Sequence, residues 1–310
     1  MSRRGELARQ HLQPLDVALR HHRTYTWLRR SVLAASLLLT VGMPMWHLRA
    51  RDAESAGQAV RTGFGGARAL GLPGSAPDVV GGPGAVELFG LELVDPLPIA
   101  AVAVSAGPRW SLLWLAAPAL VLVLLLGRFF CGWVCPYVPL LAVSNGLRWW
   151  LTKLGVPLLD VRLPRRSGLV VLTSVLVASA LLGLQVAPLV YPPSVIGREA
   201  FRAVFYGGLG AGSLLVALAF GFDTFVSRAG FCRSVCPGGA LYALLGTLSP
   251  VTVKLDRPKC TGCTVCDVVC NLGQSPMNGR IDEGCERCGK CVASCPTDAL
   301  KLGLTLKGRA

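Results

Sequence analysis

Twelve cysteines fall into tight local groups, and two of these groups near the C-terminus share one spacing. Cys260, Cys263, Cys266 and Cys270 form a Cys-x2-Cys-x2-Cys-x3-Cys run, and Cys285, Cys288, Cys291 and Cys295, followed by Pro296, repeat it. Three thiolates at that spacing can wrap three corners of an iron–sulfur cubane while the fourth points away. In tandem runs the last cysteine of each therefore ligates the other cluster. By that rule one 4Fe-4S cluster takes Cys260, Cys263, Cys266 and Cys295, and the other takes Cys285, Cys288, Cys291 and Cys270. Structural zinc also favours four thiolates, but its sites usually pair two Cys-x2-Cys knuckles and do not repeat a three-plus-one run. Asn271 stands where a proline usually follows the fourth cysteine, a change expected to alter the local turn without removing a ligand.

Two further pairs, Cys131-x3-Cys135-Pro136 and Cys232-x3-Cys236-Pro237, each follow an apolar block. Runs able to form helices come next, over residues 138–151 and 239–248, and proline suits a first helical turn. Cys135 and Cys236 would then sit at helix N-termini, where backbone N–H groups favour a thiolate. Together the four cysteines equal one more ligand set and are candidates for a third iron–sulfur centre. A redox-active dithiol, or cysteines that only pack at an interface, are the alternatives.

The surrounding chain is 52% hydrophobic and only 15% charged, too apolar for an ordinary soluble domain. Stretches 31–48, 110–130, 168–190 and 207–227 are each apolar enough to read as a membrane span, for which about 20 residues suffice. The expected fold is therefore a membrane all-α class: four transmembrane helices plus a small α+β two-cluster domain. Residues 1–30 form a basic leading segment, 31–250 the four-helix part with a loop at 49–109, and 251–310 the cluster domain. Lys and Arg gather before the first span and after the second, so those sides should be cytoplasmic and the 49–109 loop periplasmic. This places the chain in the bacterial inner membrane, in contact with lipid, with both termini cytoplasmic. The interrupted apolar stretch 88–104 is expected to lie at the periplasmic surface. Basic residues flank the apolar blocks and do not interleave with aromatics, so the net charge of +14 does not point to nucleic acid. Thirty mostly polar residues precede the first apolar block, so no cleaved signal is expected.

Residues 129–136 (FFCGWVCP), residues 232–241 (CRSVCPGGAL) and the tandem cysteine runs, in this order, resemble the NapH/MauN family of ferredoxin-type membrane proteins. The resemblance runs from about residue 27 to the end and includes Asp95-Pro96-Leu97 and Gly197-Arg198. It implies a quinol dehydrogenase component that passes electrons from quinol through 4Fe-4S clusters to a partner ferredoxin or cytochrome of a periplasmic reductase system. The competing reading is an accessory or maturation factor that uses the same clusters to reduce a metal or thiol in another enzyme. The Gly-rich stretch 57–84 is extra for the family.

Other residues carry weaker chemistry. There is no Cys-x-x-Cys-His, and of the four histidines (His11, His21, His22, His47) only His47 lies near a span, so haem is not indicated. Asp223 is a candidate proton acceptor for quinol chemistry, or else a headgroup-level partner of Arg228 or Arg128. Asp95, Arg198 and Glu199 are candidates on the resemblance alone. No residue carries the signature of a catalytic nucleophile, a phosphate loop or a dinucleotide site.

Overall fold

The computed structural model describes residues 26–38, 40, 85–88, 91–107, 110–161, 163, 164, 166–279, 281 and 284–304. His11, His21, His22 and His47 and the whole Gly-rich stretch 57–84 lie outside them. The chain forms two compact units: one from residues 1–33, 123–134 and 242–310, the other from 34–122 and 135–241.

The second of these units is helical. A two-stranded antiparallel hairpin, β1 (Ala85–Leu88) and β2 (Leu91–Val94), leads into helix α1 (Pro96–Ala106). Asp95 starts this helix: its side chain accepts the Leu97 N–H at 2.9 Å, and Pro96 and Pro98 in the first turn carry no N–H to satisfy. The stretch expected to lie at a membrane surface is thus a strand and a capped helix. Helix α1 packs on α2 (Arg166–Leu182), whose Gly168, Leu172, Val175 and Ser179 recur at helical spacing and form one buried face. Helix α3 (Tyr137–Lys153) packs on a π-helical turn at Phe222–Val226, and α4 (Pro192–Tyr206) packs on α5 (Ala211–Gly221).

In the other unit, β3 (Val251–Leu255) and β4 (Leu300–Leu304) form an antiparallel ladder running from Val251 opposite Leu304 to Leu255 opposite Leu300. The two strands enclose both tandem cysteine runs in sequence. Val253, Cys266, Cys295, Ala299 and Leu300 form the buried core beneath them.

The described residues do not support four transmembrane helices. Among the described residues no helix is long and apolar enough to cross a membrane. The block at 110–130 is helical only over Trp110–Leu126, because Gly127 turns left-handed at φ 65°; the block at 168–190 stops at Leu182, before Gly183 at φ 63°. Each such helix has 17 residues and measures about 25 Å, short of a hydrocarbon core of about 30 Å. The block at 207–227 yields the 11-residue α5 before the backbone widens into the π-helical turn. Of the first block, residues 31–38 and 40 are helical and the remainder lies outside the described residues. Hydropathy averaged over a window registers apolar content but not these left-handed and π-helical breaks.

Candidate iron–sulfur sites

The two C-terminal runs fold alike. In each, the third cysteine lies on a helix of little more than one turn, at Val265–Val269 for Cys266 and at Lys290–Ala293 for Cys291; the fourth follows the helix end. Adding 25 to a residue number of the first run gives its counterpart in the second. Left-handed backbone recurs at the same stations: Gly262, Thr264 and Gly273 in one run match Arg287, Gly289 and Asp298 in the other. Side chains other than glycine hold this conformation at a cost of about 1–2 kcal/mol each, so three of the six stations are strained. Alternation of right- and left-handed residues turns successive N–H groups into a concave anion nest. Sulfur hydrogen bonds follow the same shift. The Gln274 N–H donates to Cys270 Sγ at 3.4 Å, and the Ala299 N–H donates to Cys295 Sγ at 3.3 Å.

Around these loops are two cavities. Cys260, Cys263, Cys266 and Cys295 line one, with about 310 Å³ of empty space, part of it open to solvent. Cys270, Cys285, Cys288 and Cys291 line the other, of about 430 Å³ on the same measure. The fourth cysteine of each run thus lies with the first three of its neighbour. Four soft donors per cavity, with peptide N–H groups aimed at sulfur, fit a 4Fe-4S cubane. Among the described residues no three His, Cys, Asp or Glu side chains converge tightly enough to hold a single metal ion. Four of the thiols are held toward their protonated form. Burial, aided by Asp267, pushes Cys266 up to about 12; burial pushes Cys285 up to about 11 and raises Cys288 and Cys291 as well. Iron loading must therefore displace these protons.

Residues 123–134 of the same unit border the second run. A side chain at Gly132 would meet Cys288 Cβ and the Glu286 carbonyl at 3.0 Å, so only glycine admits this approach unforced. Arg29 donates to the Gly132 carbonyl through two nitrogens at 3.2 Å, and Arg128 to the Gly284 carbonyl at 3.1 Å. The Arg287 guanidinium reaches the carbonyls of Val251 at 2.6 Å and Gly246 at 3.0 Å. Asn271 is buried, and its side-chain oxygen accepts from Lys290 Nζ at 2.8 Å. Sequence reasoning placed none of Arg29, Arg128, Arg287 and Lys290 beside the second run. Laying the two runs over one another would have exposed the last two.

The Cys-x3-Cys-Pro pairs divide between the units. Cys131 belongs with 123–134, whereas Cys135, Cys232 and Cys236 belong to the helical unit. Helix α3 begins directly after Cys135-Pro136, and α6 (Pro237–Leu245) directly after Cys236, as proline in the first turn requires. The Gly239 N–H donates to Cys236 Sγ at 3.4 Å.

Asp223 is wholly buried. Its Oδ2 accepts from the Tyr137 hydroxyl at 2.9 Å and its Oδ1 from the Phe231 N–H at 2.8 Å, so one carboxylate joins the residue two after Cys135 to the residue before Cys232. Arg148 donates to the Thr224 carbonyl nearby at 2.8 Å. The Asp223 carboxylate thus accepts from Tyr137 and Phe231, not from Arg228 or Arg128. Burial raises its pKa to about 6, and burial together with Asp223 and the Cys232 and Cys135 sulfurs pushes Tyr137 far up. A second pair has the same chemistry: the Tyr191 hydroxyl donates to Asp95 Oδ2 at 2.6 Å, and the Tyr191 ring fills the space that a side chain at Gly238, two residues after Cys236, would need. Glu199 is buried with one oxygen accepting the Gly210 N–H ahead of α5; Arg198 is half-buried on α4. Tyr137 and Tyr191 were not legible as site residues, since nothing local announces a partner so distant in the chain.

Comparisons with known proteins agree with this chemistry. A family model described as a 4Fe-4S binding domain matches residues 106–157 and 209–255, which include Cys131, Cys135, Cys232 and Cys236. A second 4Fe-4S binding domain model matches residues 280–301. The chain is 34% identical over 185 residues to the ferredoxin-type protein NapH of Escherichia coli, covering 56% of this chain and 61% of that one. It is 32% identical to NapH of Haemophilus influenzae over 71% of this chain and 78% of the relative. It is 36% identical to the methylamine utilization ferredoxin-type protein MauN of Methylorubrum extorquens over 59% and 62%. The match thus spans less than two thirds of the E. coli and M. extorquens relatives. No solved structure matches the chain. Paired four-cysteine cavities and these matches define an iron–sulfur electron-transfer protein of ferredoxin type. Within that class, the chain belongs to the NapH/MauN family of ferredoxin-type proteins.

Proposed function

We propose that the chain accepts electrons derived from quinol and delivers them to a partner redox protein, a ferredoxin or cytochrome of a periplasmic reductase system. The observation that carries the reading is the pair of cavities, each lined by four cysteines drawn from both runs. In this reading Cys260, Cys263, Cys266 and Cys295 hold one 4Fe-4S cluster and Cys285, Cys288, Cys291 and Cys270 the other. A cluster so held supplies reversible one-electron storage. The chain's own contribution is to fix the sulfurs on short helices, aim N–H groups at them and screen them from water with the Val253, Ala299 and Leu300 core. Cys131, Cys135, Cys232 and Cys236 are the proposed ligands of a third centre, which the 4Fe-4S domain match over them supports.

The same reading sets the chain at the bacterial inner membrane. Large apolar side chains stand exposed on three helices, among them Trp114 at 78%, Leu181 at 81% and Leu218 at 65%, and such a surface suits lipid. Anaerobic purification with iron and acid-labile sulfide analysis tests the cluster content: about eight irons per chain is the outcome for two clusters and about twelve for three. Addition of a quinol to membranes containing the protein should bleach the cluster absorbance. Unchanged absorbance, with a target enzyme left immature when the chain is deleted, would replace this reading by an assembly role.

A further inference from the structure

The 25-residue shift that superposes the two runs also shows where they differ. Thr261, Gly262, Val265 and Asp267 of the first run correspond to Glu286, Arg287, Lys290 and Val292 of the second. The first run carries one anion at these stations. The second carries two cations and one anion, and Arg29 and Arg128 stand against that anion, Glu286. The contacts sharpen the contrast. Asp267 Oδ1 lies 3.6 Å from Cys266 Sγ, a carboxylate beside a ligand of the first cavity. In the second cavity the Arg287 N–H donates to Cys285 Sγ at 3.4 Å, and the Lys290 ammonium is fastened to Asn271, which follows Cys270 directly. Both Asn271 and Lys290 line that cavity.

A reduced cluster bears one more negative charge than an oxidised one. Cations and N–H donors near the sulfurs therefore raise its potential, and a carboxylate lowers it. From this asymmetry we infer that Lys290 and Arg287 poise the site of Cys285, Cys288, Cys291 and Cys270 to be reduced before the site of Cys260, Cys263, Cys266 and Cys295, which Asp267 holds back. The inference rests on the cluster reading above. It assigns the departure at Asn271 a purpose, since proline at that position offers no side-chain oxygen to hold Lys290.

The test is a redox titration of the full chain, purified anaerobically with its clusters, followed by the paramagnetic signal of the reduced state. The two C-terminal clusters of the wild-type protein should give two separated midpoints, read apart from the signal of the proposed third centre. Lys290→Val, which installs the residue of the matching first-run station, should lower only the higher midpoint, by at least a tenfold change in the equilibrium, about 59 mV for one electron. Asp267→Asn should raise only the lower midpoint, and it keeps the inference open to refutation should Lys290→Val fail to load iron. Iron content and far-ultraviolet circular dichroism equal to wild type certify each variant. Coincident midpoints, or a Lys290→Val shift confined to the lower one, would overturn the inference while leaving the clusters in place. Absence of any signal on reduction would instead sink the cluster reading beneath it.

Discussion

The Tyr137 hydroxyl and the Asp223 carboxylate meet at 2.9 Å in a site where neither residue is exposed, and the other oxygen of Asp223 takes the Phe231 N–H. One side chain thereby fixes the chain on either side of the Cys-x3-Cys-Pro motifs. Asp223→Ala strands two buried donors and should cost roughly 2–4 kcal/mol. Asp223→Asn keeps an acceptor for one donor, and the tyrosine hydroxyl can turn to accept from the amide, so its cost should be smaller. Urea midpoints of the two variants check the order.

Acid should strengthen this same site. Burial, opposed by the Phe231 N–H, the Tyr137 hydroxyl and Arg148, raises the carboxyl of Asp223 from its ordinary 3.8 to about 6. The folded chain therefore binds this proton more tightly than the unfolded one. The stabilisation is fully present below about pH 4 and is lost as the pH rises to about 6, a total of roughly 3 kcal/mol. Unfolding free energies measured between these limits should fall with pH in the wild type, and the Asp223→Asn profile should lack that component. Parallel profiles would show that the carboxyl titrates normally.

Gly238→Ala tests the packing behind Cys236. The added methyl enters the space of the Tyr191 ring, whose hydroxyl donates to Asp95. Overpacking of this kind costs about 1–3 kcal/mol, and removal of the hydroxyl alone in Tyr191→Phe costs about 1 kcal/mol. Thermal unfolding should therefore rank Gly238→Ala below Tyr191→Phe; equal midpoints would mean that the ring is not confined there.

Cys270→Ser should damage the site across from its own run. The cavity of Cys285, Cys288 and Cys291 contains Cys270, whereas that of Cys260, Cys263 and Cys266 contains Cys295. Iron should fall by about four per chain, and the reduced signal of the surviving C-terminal cluster should respond to Asp267→Asn. A survivor that responds instead to Lys290→Val would reverse the ligand assignment.

Much of this was legible in the residues. Spacing alone announced the two cysteine runs, and Pro136 and Pro237 announced the helices that follow. The lengths of the apolar helices were not legible, because Gly127 and Gly183 break them by adopting left-handed backbone, and hydropathy is blind to the sign of φ. The strained stations at Thr264 and Arg287 were equally hidden, since neither side chain prefers that backbone, and Asp298 tolerates it without calling for it. Asp223 was visible as an acid in an apolar setting, but its partners lie 86 residues before it and 8 after it, and only tertiary packing selects them.

Because each cavity borrows its last cysteine from the opposite run, the tail cannot be halved. A chain that stopped after Cys270 would offer three sulfurs at one cavity and a single orphan of the other. A proteolytic remnant of that length could complete neither proposed cubane, so loss of the second run would silence both proposed centres at once.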